Sequence, residues 1–271
     1  MRPSSPRAGV EARLVRWAAL DAAVMLTCWT FSALGPWWMF FVMAPVLGGR
    51  IHALGVLLHD ACHLPGRSGW TWLLEAVGGW PVGTTLESMR AHHLRHHART
   101  NASEDPYLAP RRMGDGRLFL LLLGIFPFWV VRAALGVGSF AVPRLEVAYA
   151  ALLVSGEDDA AARRDVERAR RVEWPVVVTW GALGALTVMA PSLMARSWWL
   201  PLSWAALFNA CRFLAEHSQE PREAGLTETT RDITSAWLTL FVFPHHVGLH
   251  RTHHRFPKAL WEALPRLRQT D

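Results

Sequence analysis

The feature that most constrains the fold is a set of long apolar segments. A transmembrane helix needs about 20 apolar residues. Four segments reach or approach that length: residues 14–34, 37–58, 174–194 and 198–215. The first two segments are joined only by Gly35-Pro36, and the last two are joined only by Ala195-Arg196-Ser197. The sequence therefore predicts two tight helical hairpins, with four transmembrane helices in all.

Composition and charge support a membrane protein and suggest its orientation. Hydrophobic residues make up 51% of the 271 and charged residues 18%, too apolar for an ordinary soluble domain. Outside the spans, Lys and Arg concentrate in the N-terminal tail, in the stretch 59–173 and after residue 211. The positive-inside rule places these regions, and so both termini, in the cytoplasm. We expect one domain over residues 1–271. The net charge of +6 comes without a recognition motif, so no nucleic-acid partner is expected.

Two further apolar stretches, residues 70–82 and 118–131, are too short to cross a bilayer comfortably and contain Gly and Pro. They are expected to form interfacial or re-entrant helices.

Histidines cluster in a way that indicates metal binding. Twelve of the thirteen fall in four short windows, within residues 59–63, 92–97, 217 and 245–254. Spacings of three and four residues within the windows put their imidazoles on one helix face. In the predicted topology all four windows meet at the cytoplasmic ends of the spans. His52 lies deeper, on the face of His59, and is either a lining residue of a substrate tunnel or a packed polar residue.

The number and type of side chains limit the kind of site. Nine clustered imidazoles exceed what one ion can bind, so two metal ions are implied. Ferritin-like di-iron bundles rely on Glu with Glu-x-x-His, and structural zinc sites usually include Cys; neither pattern is present. A metal transporter would carry its ligands at the midplane of the spans. It is therefore the most distant alternative.

The histidine motifs resemble those of the membrane fatty acid desaturase superfamily, which includes acyl desaturases, hydroxylases and carotenoid ketolases. His-Asp-Ala-Cys-His at 59–63 resembles the first histidine box. His-His-Leu-Arg-His-His at 92–97, with Asn101 and Glu104-Asp105-Pro106, resembles the second. The segment 212–217 resembles the one that supplies a lone histidine, and 243–254 resembles the third box with its tail.

The resemblance implies a fold, a cofactor and a reaction. The fold is all-α and integral to the membrane: four transmembrane helices in two hairpins under a cytosolic helical cap that holds a di-iron site. The implied metal ligands are nine histidines: His59, His63, His93, His96, His97, His217, His250, His253 and His254. Two Fe ions, O2 as co-substrate and electrons from an external ferredoxin- or cytochrome-type carrier are implied as well.

The expected reaction introduces a double bond into a fatty acyl or lipid chain, with a hydroxylase or carotenoid ketolase as the alternative. Hydrogen abstraction from a methylene requires an oxidant that reduced iron and O2 can generate. Asp60 and Glu216, next to ligands, are either acceptors for imidazole N–H groups or solvated surface groups. Related sequences commonly carry Asn and Tyr where this chain has His246 and Leu249. Because His246 precedes His250 by four residues, a continuous helix would aim both at the metals, and His246 is expected there as a tenth ligand or a hydrogen-bond donor.

Two charge patterns lead to further expectations. Asp21 and Arg50 each lie 14 residues from the turn at Gly35-Pro36, so in an antiparallel hairpin they share one depth and should pair. Residues 160–172 should form a solvated basic helix. Its arginines are a candidate contact for an acidic electron donor: Arg163, Arg164, Arg168, Arg170 and Arg171.

Overall fold

A computed structural model describes residues 6–100, 102, 105–107, 114–155, 159–217 and 230–270. Over these residues the regular structure is helical, with one isolated β-bridge between Asp232 and Leu249. The helices are α1 (Pro6–Leu34), α2 (Met39–Ala61), α3 (Gly69–Gly78), α4 (Leu86–Ala98), α5 (Asp115–Leu123), α6 (Ile125–Gly138), α7 (Arg144–Val154), α8 (Ala160–Arg170), α9 (Trp174–Met189), α10 (Leu200–His217), α11 (His250–Arg255) and α12 (Leu264–Leu267).

The first predicted hairpin is present. Helices α1 and α2 pack against each other across the turn at Gly35. A side chain at Gly35 would approach the Phe31 carbonyl oxygen to 2.5 Å, so the turn requires glycine. The expected contact between Asp21 and Arg50 is confirmed: Arg50 Nη1 donates to Asp21 Oδ1 at 2.8 Å. The length of the hairpin loop thus sets the depth at which the two charges meet.

Helix α2 lies between α1 and α10, and the contact with α10 is close. A Cβ at Gly48 would lie 2.4 Å from Trp204 Cβ and 2.7 Å from the Pro201 carbonyl oxygen. The absence of a side chain at Gly48 therefore lets the two backbones approach. His52 on α2 is buried, with Nε2 3.2 Å from the Val242 carbonyl oxygen. This contact favours a packed polar residue over a tunnel lining.

The second hairpin differs from the sequence expectation. The helix that begins at Trp174 ends at Met189, and a turn of helix (Pro191–Met194) and a π-turn (Ala195–Trp199) follow before α10. Pro191 lacks the N–H that would continue α9, and Ala190 before it has a non-helical backbone, with φ −141° and ψ 63°. Trp199 Nε1 donates to Thr187 Oγ1 at 2.9 Å and joins the two arms.

Two helices, α1 and α2, are long and apolar enough to span a membrane. The number rises to four if each of two bent pairs is one span: α5 with α6, bent by 65°, and α8 with α9, bent by 40°. The described part of the chain is therefore all-helical with two to four candidate apolar spans.

Helix α3 has ten residues, too few to cross a bilayer. It buries Leu74 and Glu75 against the protein and exposes Trp70, Leu73 and Val77. The apolar exposed face fits the interfacial helix expected for residues 70–82.

Helices α4, α7 and α8 pack together beside the apolar helices. The expected helix at residues 160–172 is present as α8 (Ala160–Arg170), begun by Asp159, whose side chain accepts from Ala162 N at 2.6 Å. Arg95 on α4 donates to Asp165 on α8 at 2.9 Å. Arg170 is engaged within the protein, since it pairs with Glu146 at 2.6 Å. The face that α8 presents to solvent is therefore less basic than the sequence suggested.

Candidate metal centre

Helix α4 carries the second histidine motif and is fixed at its N-terminus. The Thr85 side chain accepts from Ser88 N at 3.2 Å and so caps the helix. The buried carboxylate of Glu75 on α3 accepts from Leu86 N at 3.0 Å. Ser88 in turn hydrogen-bonds the buried Glu173 at the start of α9. These contacts tie α4 to α3 and α9 and set the position of its histidines.

Two groups of histidines have ring nitrogens close enough to share one metal ion. His59, His63, His93 and His253 form the first group, and His96, His217 and His250 form the second. Within each group the nearest ligand atoms all lie within 4.8 Å of one another. Both groups combine distant parts of the chain, so neither arises from one local motif.

His97 and His254 complete the cluster. His97 Nε2 lies 2.8 Å from His93 Nε2 and 3.0 Å from His253 Nε2. His254 Nε2 lies 3.1 Å from His250 Nε2 and 3.3 Å from His96 Nε2. His97 therefore extends the first group and His254 the second. All nine histidines named from the sequence lie in this cluster.

The protonation state of the rings limits how their closely spaced nitrogens can interact with one another. Burial lowers the pKa of His63 to about 4, and it lowers the pKa of His93 and His253 well below the usual value for histidine. Neighbouring imidazoles contribute as a second cause. These rings are therefore neutral at physiological pH. Neutral imidazole has one N–H and one lone pair, and a single proton on His97 Nε2 can serve only one of its two Nε2 neighbours. A shared cation satisfies all these nitrogens at once.

The outward Nδ1 atoms of four rings face oxygen atoms. His96 Nδ1 lies 2.9 Å from Asp105 Oδ1, both side chains being fully buried. His59 Nδ1 lies 3.3 Å from Asp60 Oδ1 and His250 Nδ1 3.7 Å from Glu216 Oε2.

His254 Nδ1, the fourth of these atoms, lies 3.4 Å from Thr100 Oγ1. An oxygen at Nδ1 holds the N–H there and leaves Nε2 free to bind a metal. Asp60 thus lies where an acceptor was expected, whereas Glu216 Oε2 is near His250 Nδ1 but beyond hydrogen-bond distance. Asp105 and Thr100 were not singled out for this role, although Asp105 belongs to the segment that resembles the second box.

Comparison with known proteins identifies the family. A model of the fatty acid desaturase family matches residues 36–270, which include all nine histidines. The chain belongs to the fatty acid desaturase family. None of the curated proteins and none of the solved structures matches it. As a desaturase-family chain with long apolar helices, it is a membrane protein and an oxidoreductase of the desaturase and hydroxylase type.

The donor set fits the group that this family generally uses, two iron ions with O2 as co-substrate. Imidazole is a common ligand for iron, and the cluster divides into two groups, as two ions require. Asn101 and Glu104, part of the resemblance to the second box, lie outside the described residues.

The two histidine groups differ in exposure. In the second group His96, His217 and His250 are all buried. In the first group His63 is partly exposed, as is the adjoining His97. The first group therefore lies nearer to solvent, and the second is enclosed by the protein.

The structure does not bring His246 to this cluster. A continuous helix through His246 and His250 was expected, but α11 begins only at His250. His245 and His246 both have left-handed backbone conformations, with φ of 53° and 58°, which interrupt a right-handed helix. The His246 side chain is exposed and packs against Trp261, ring centroids 5.7 Å apart.

His245, not singled out from the sequence, has a defined structural contact. Its Nε2 lies 2.9 Å from Asp21 Oδ2, and its ring packs edge-on against Trp17 at 5.7 Å. Asp21 therefore binds both Arg50 and His245. The segment leading into the third histidine motif is thereby attached to the first hairpin. The sequence carries no local signal for this contact, because 224 residues separate His245 from Asp21.

Proposed function

We propose that this protein is an O2-dependent di-iron membrane oxidoreductase that introduces a double bond into the acyl chain of a lipid. The observation that carries the proposal is the convergence of nine imidazole rings from four chain segments into two adjoining groups. The family supplies the reaction class, and the geometry of the donors supports two metal ions.

The proposed ligands divide between the two groups. His59, His63, His93, His97 and His253 would hold one iron, and His96, His217, His250 and His254 the other. Reduced iron with O2 supplies an oxidant strong enough to remove hydrogen from an unactivated methylene. Asp60 and Asp105 would hold the rings of His59 and His96 in the required tautomer through Nδ1. Because the second group is buried, water would have little access to the iron held there.

The proposed reaction balances with an external donor. Two hydrogen atoms leave adjacent carbons of the acyl chain, a carrier supplies two electrons, two protons come from solvent, and O2 is reduced to two water molecules. A ferredoxin- or cytochrome-type protein is the proposed carrier.

For the topology we propose one domain over residues 1–271 with four spans in two hairpins. The metal centre and both termini then face the cytoplasm, as the distribution of Lys and Arg favours. The buried pair of Asp21 and Arg50 supports the antiparallel first hairpin.

Mass analysis of lipids from a host expressing the protein tests the reaction. We expect a new acyl species two hydrogens lighter than its precursor, absent when His93→Ala is expressed at the same level. A species heavier by one oxygen would instead assign hydroxylation. Identical lipids from the wild type and the variant, with a competent donor present, would contradict the proposed function.

A further inference from the structure

A cavity outside the histidine cluster has no role in the proposed chemistry. Its volume is about 650 Å³, within the range of small-molecule sites. The cavity is open on one side, and three parts of the chain line it: the segment 233–239, the residues before α11, and the C-terminal turn from Pro265. Thr234, His246, Leu249, Arg268 and Gln269 are among the lining residues.

The polar part of this lining is rich in hydrogen-bond donors. Arg268 offers a permanently charged guanidinium, Gln269 an amide and Thr234 a hydroxyl. No carboxylate is among the lining residues in the described part of the chain. A donor-rich wall with one fixed positive charge suits an oxygen-rich anion such as a phosphate or carboxylate.

Asp232 pairs with Arg268 but is not a lining residue of the cavity. Asp232 lies 3.6 Å from Arg268 Nε, and its carboxylate also accepts from Thr252 N at 3.1 Å and Thr252 Oγ1 at 2.7 Å. Asp232 therefore orients the Arg268 guanidinium and attaches it to α11. The Arg268 side chain is 45% exposed and remains accessible to a ligand.

The cavity also lies where an amphiphile would present its head group. The segment 233–239 and the residue after it expose large apolar side chains, Trp237 at 82% and Leu240 at 51%. Arg50 of the first hairpin donates to the Leu240 carbonyl, so the segment reaches the level of the spans. On the inner side, Leu249 immediately precedes His250 of the cluster. The cavity thus adjoins both a surface with exposed apolar side chains and the candidate metal centre.

We propose that this cavity binds the anionic head group of the lipid substrate, through Arg268 and the neighbouring donors Gln269 and Thr234. The proposal rests on the proposed function, because it names the substrate class of the same enzyme: an acyl chain that carries a phosphate or a carboxylate. His246, which lines the cavity, then contacts the substrate and not the metals.

Direct binding to the purified full chain tests the proposal. The probe is radiolabelled 1-oleoyl lysophosphatidic acid in neutral detergent, compared with 1-oleoylglycerol, which has the same chain without the phosphate. We expect the wild type to prefer the phosphorylated probe by about tenfold, or about 1.4 kcal/mol, and Arg268→Gln to abolish that preference. Arg266→Gln is the matched control: Arg266 is exposed on the same turn and does not line the cavity.

Each outcome decides the proposal. If both arginine variants lose the preference for the phosphorylated probe equally, the binding reflects general charge attraction and the proposal is overturned. Inorganic phosphate that displaces the lipid at equal concentration would assign a free-anion site and also overturn it. If Arg268→Gln does not fold, Thr234→Val is the second variant, since it leaves Asp232 untouched. It should weaken binding of the phosphorylated probe by about threefold, and unchanged binding would contradict the site. Binding as expected without a lipid product would count against the proposed function alone.

Discussion

Replacing Asp21 by Asn should destabilise the protein because it leaves Arg50 with its charge unpaired inside the first hairpin. Asp21 is buried and Arg50 largely so, with side chains 5% and 19% exposed. Removing one partner of a buried ion pair costs about 3–5 kcal/mol. Arg50 keeps its hydrogen bond to the Leu240 carbonyl, so we expect the lower end, about 3 kcal/mol. At about 2–4 °C per kcal/mol for a chain of this size, the melting temperature should fall by about 6–12 °C.

Thermal unfolding in detergent, followed by tryptophan fluorescence, measures this change. Glu262→Gln is the control, because Glu262 pairs with Arg13 at 3.3 Å with both side chains largely exposed; such pairs are worth at most about 1 kcal/mol. The double variant Asp21→Asn with Arg50→Gln should be less destabilised than the sum of the single variants. A change in Asp21→Asn no larger than that of the control, or strict additivity, would refute the reasoning.

Three other substitution or condition series test the site. Substitution by Ala should abolish turnover and lower bound iron at any of His59, His93, His97, His217, His250 or His254. The control is His92→Gln, which should keep iron because His92 Nδ1 faces the Leu153 carbonyl at 3.3 Å. Normal activity in several of the six Ala variants would disprove the ligand assignment. Asp105→Asn should weaken iron binding by about 10–100-fold, since it removes the carboxylate at His96 Nδ1, and unchanged iron affinity in equilibrium competition with a chelator would count against that role. With donor limiting, turnover should fall as salt rises if an acidic carrier docks on the exposed Arg164 and Arg168 of α8, and salt-independent rates would exclude that surface.

Much of the candidate site was predictable because its information is local. Motif spacing on a helix fixes which imidazoles share a face. This spacing alone predicts that His59 lies beside His63 and that His93 lies beside His97. The pairing of Asp21 with Arg50 followed from counting residues from one turn. These features depend on helix periodicity and hairpin register, which sequence spacing determines.

Other features depend on backbone breaks and long-range contacts. His246 was predicted at the metals because a helix was assumed to continue to His250, but the left-handed residues 245 and 246 end that continuity. Such conformations cost about 1–3 kcal/mol each and require support from the surroundings. The contact of His245 with Asp21 supplies such support, across more than 200 residues of sequence. The break of α9 at Ala190 was signalled by Pro191, but the apolar composition of the whole stretch concealed it.

The number of iron ions bound to the purified, active protein tests the central claim most directly. Elemental analysis by inductively coupled plasma mass spectrometry, normalised to protein by amino-acid analysis, should give about two iron ions per chain. Substitution of His250 should lower this number. Full activity with one iron per chain, or with zinc and no iron, would contradict a di-iron centre built from the nine histidines.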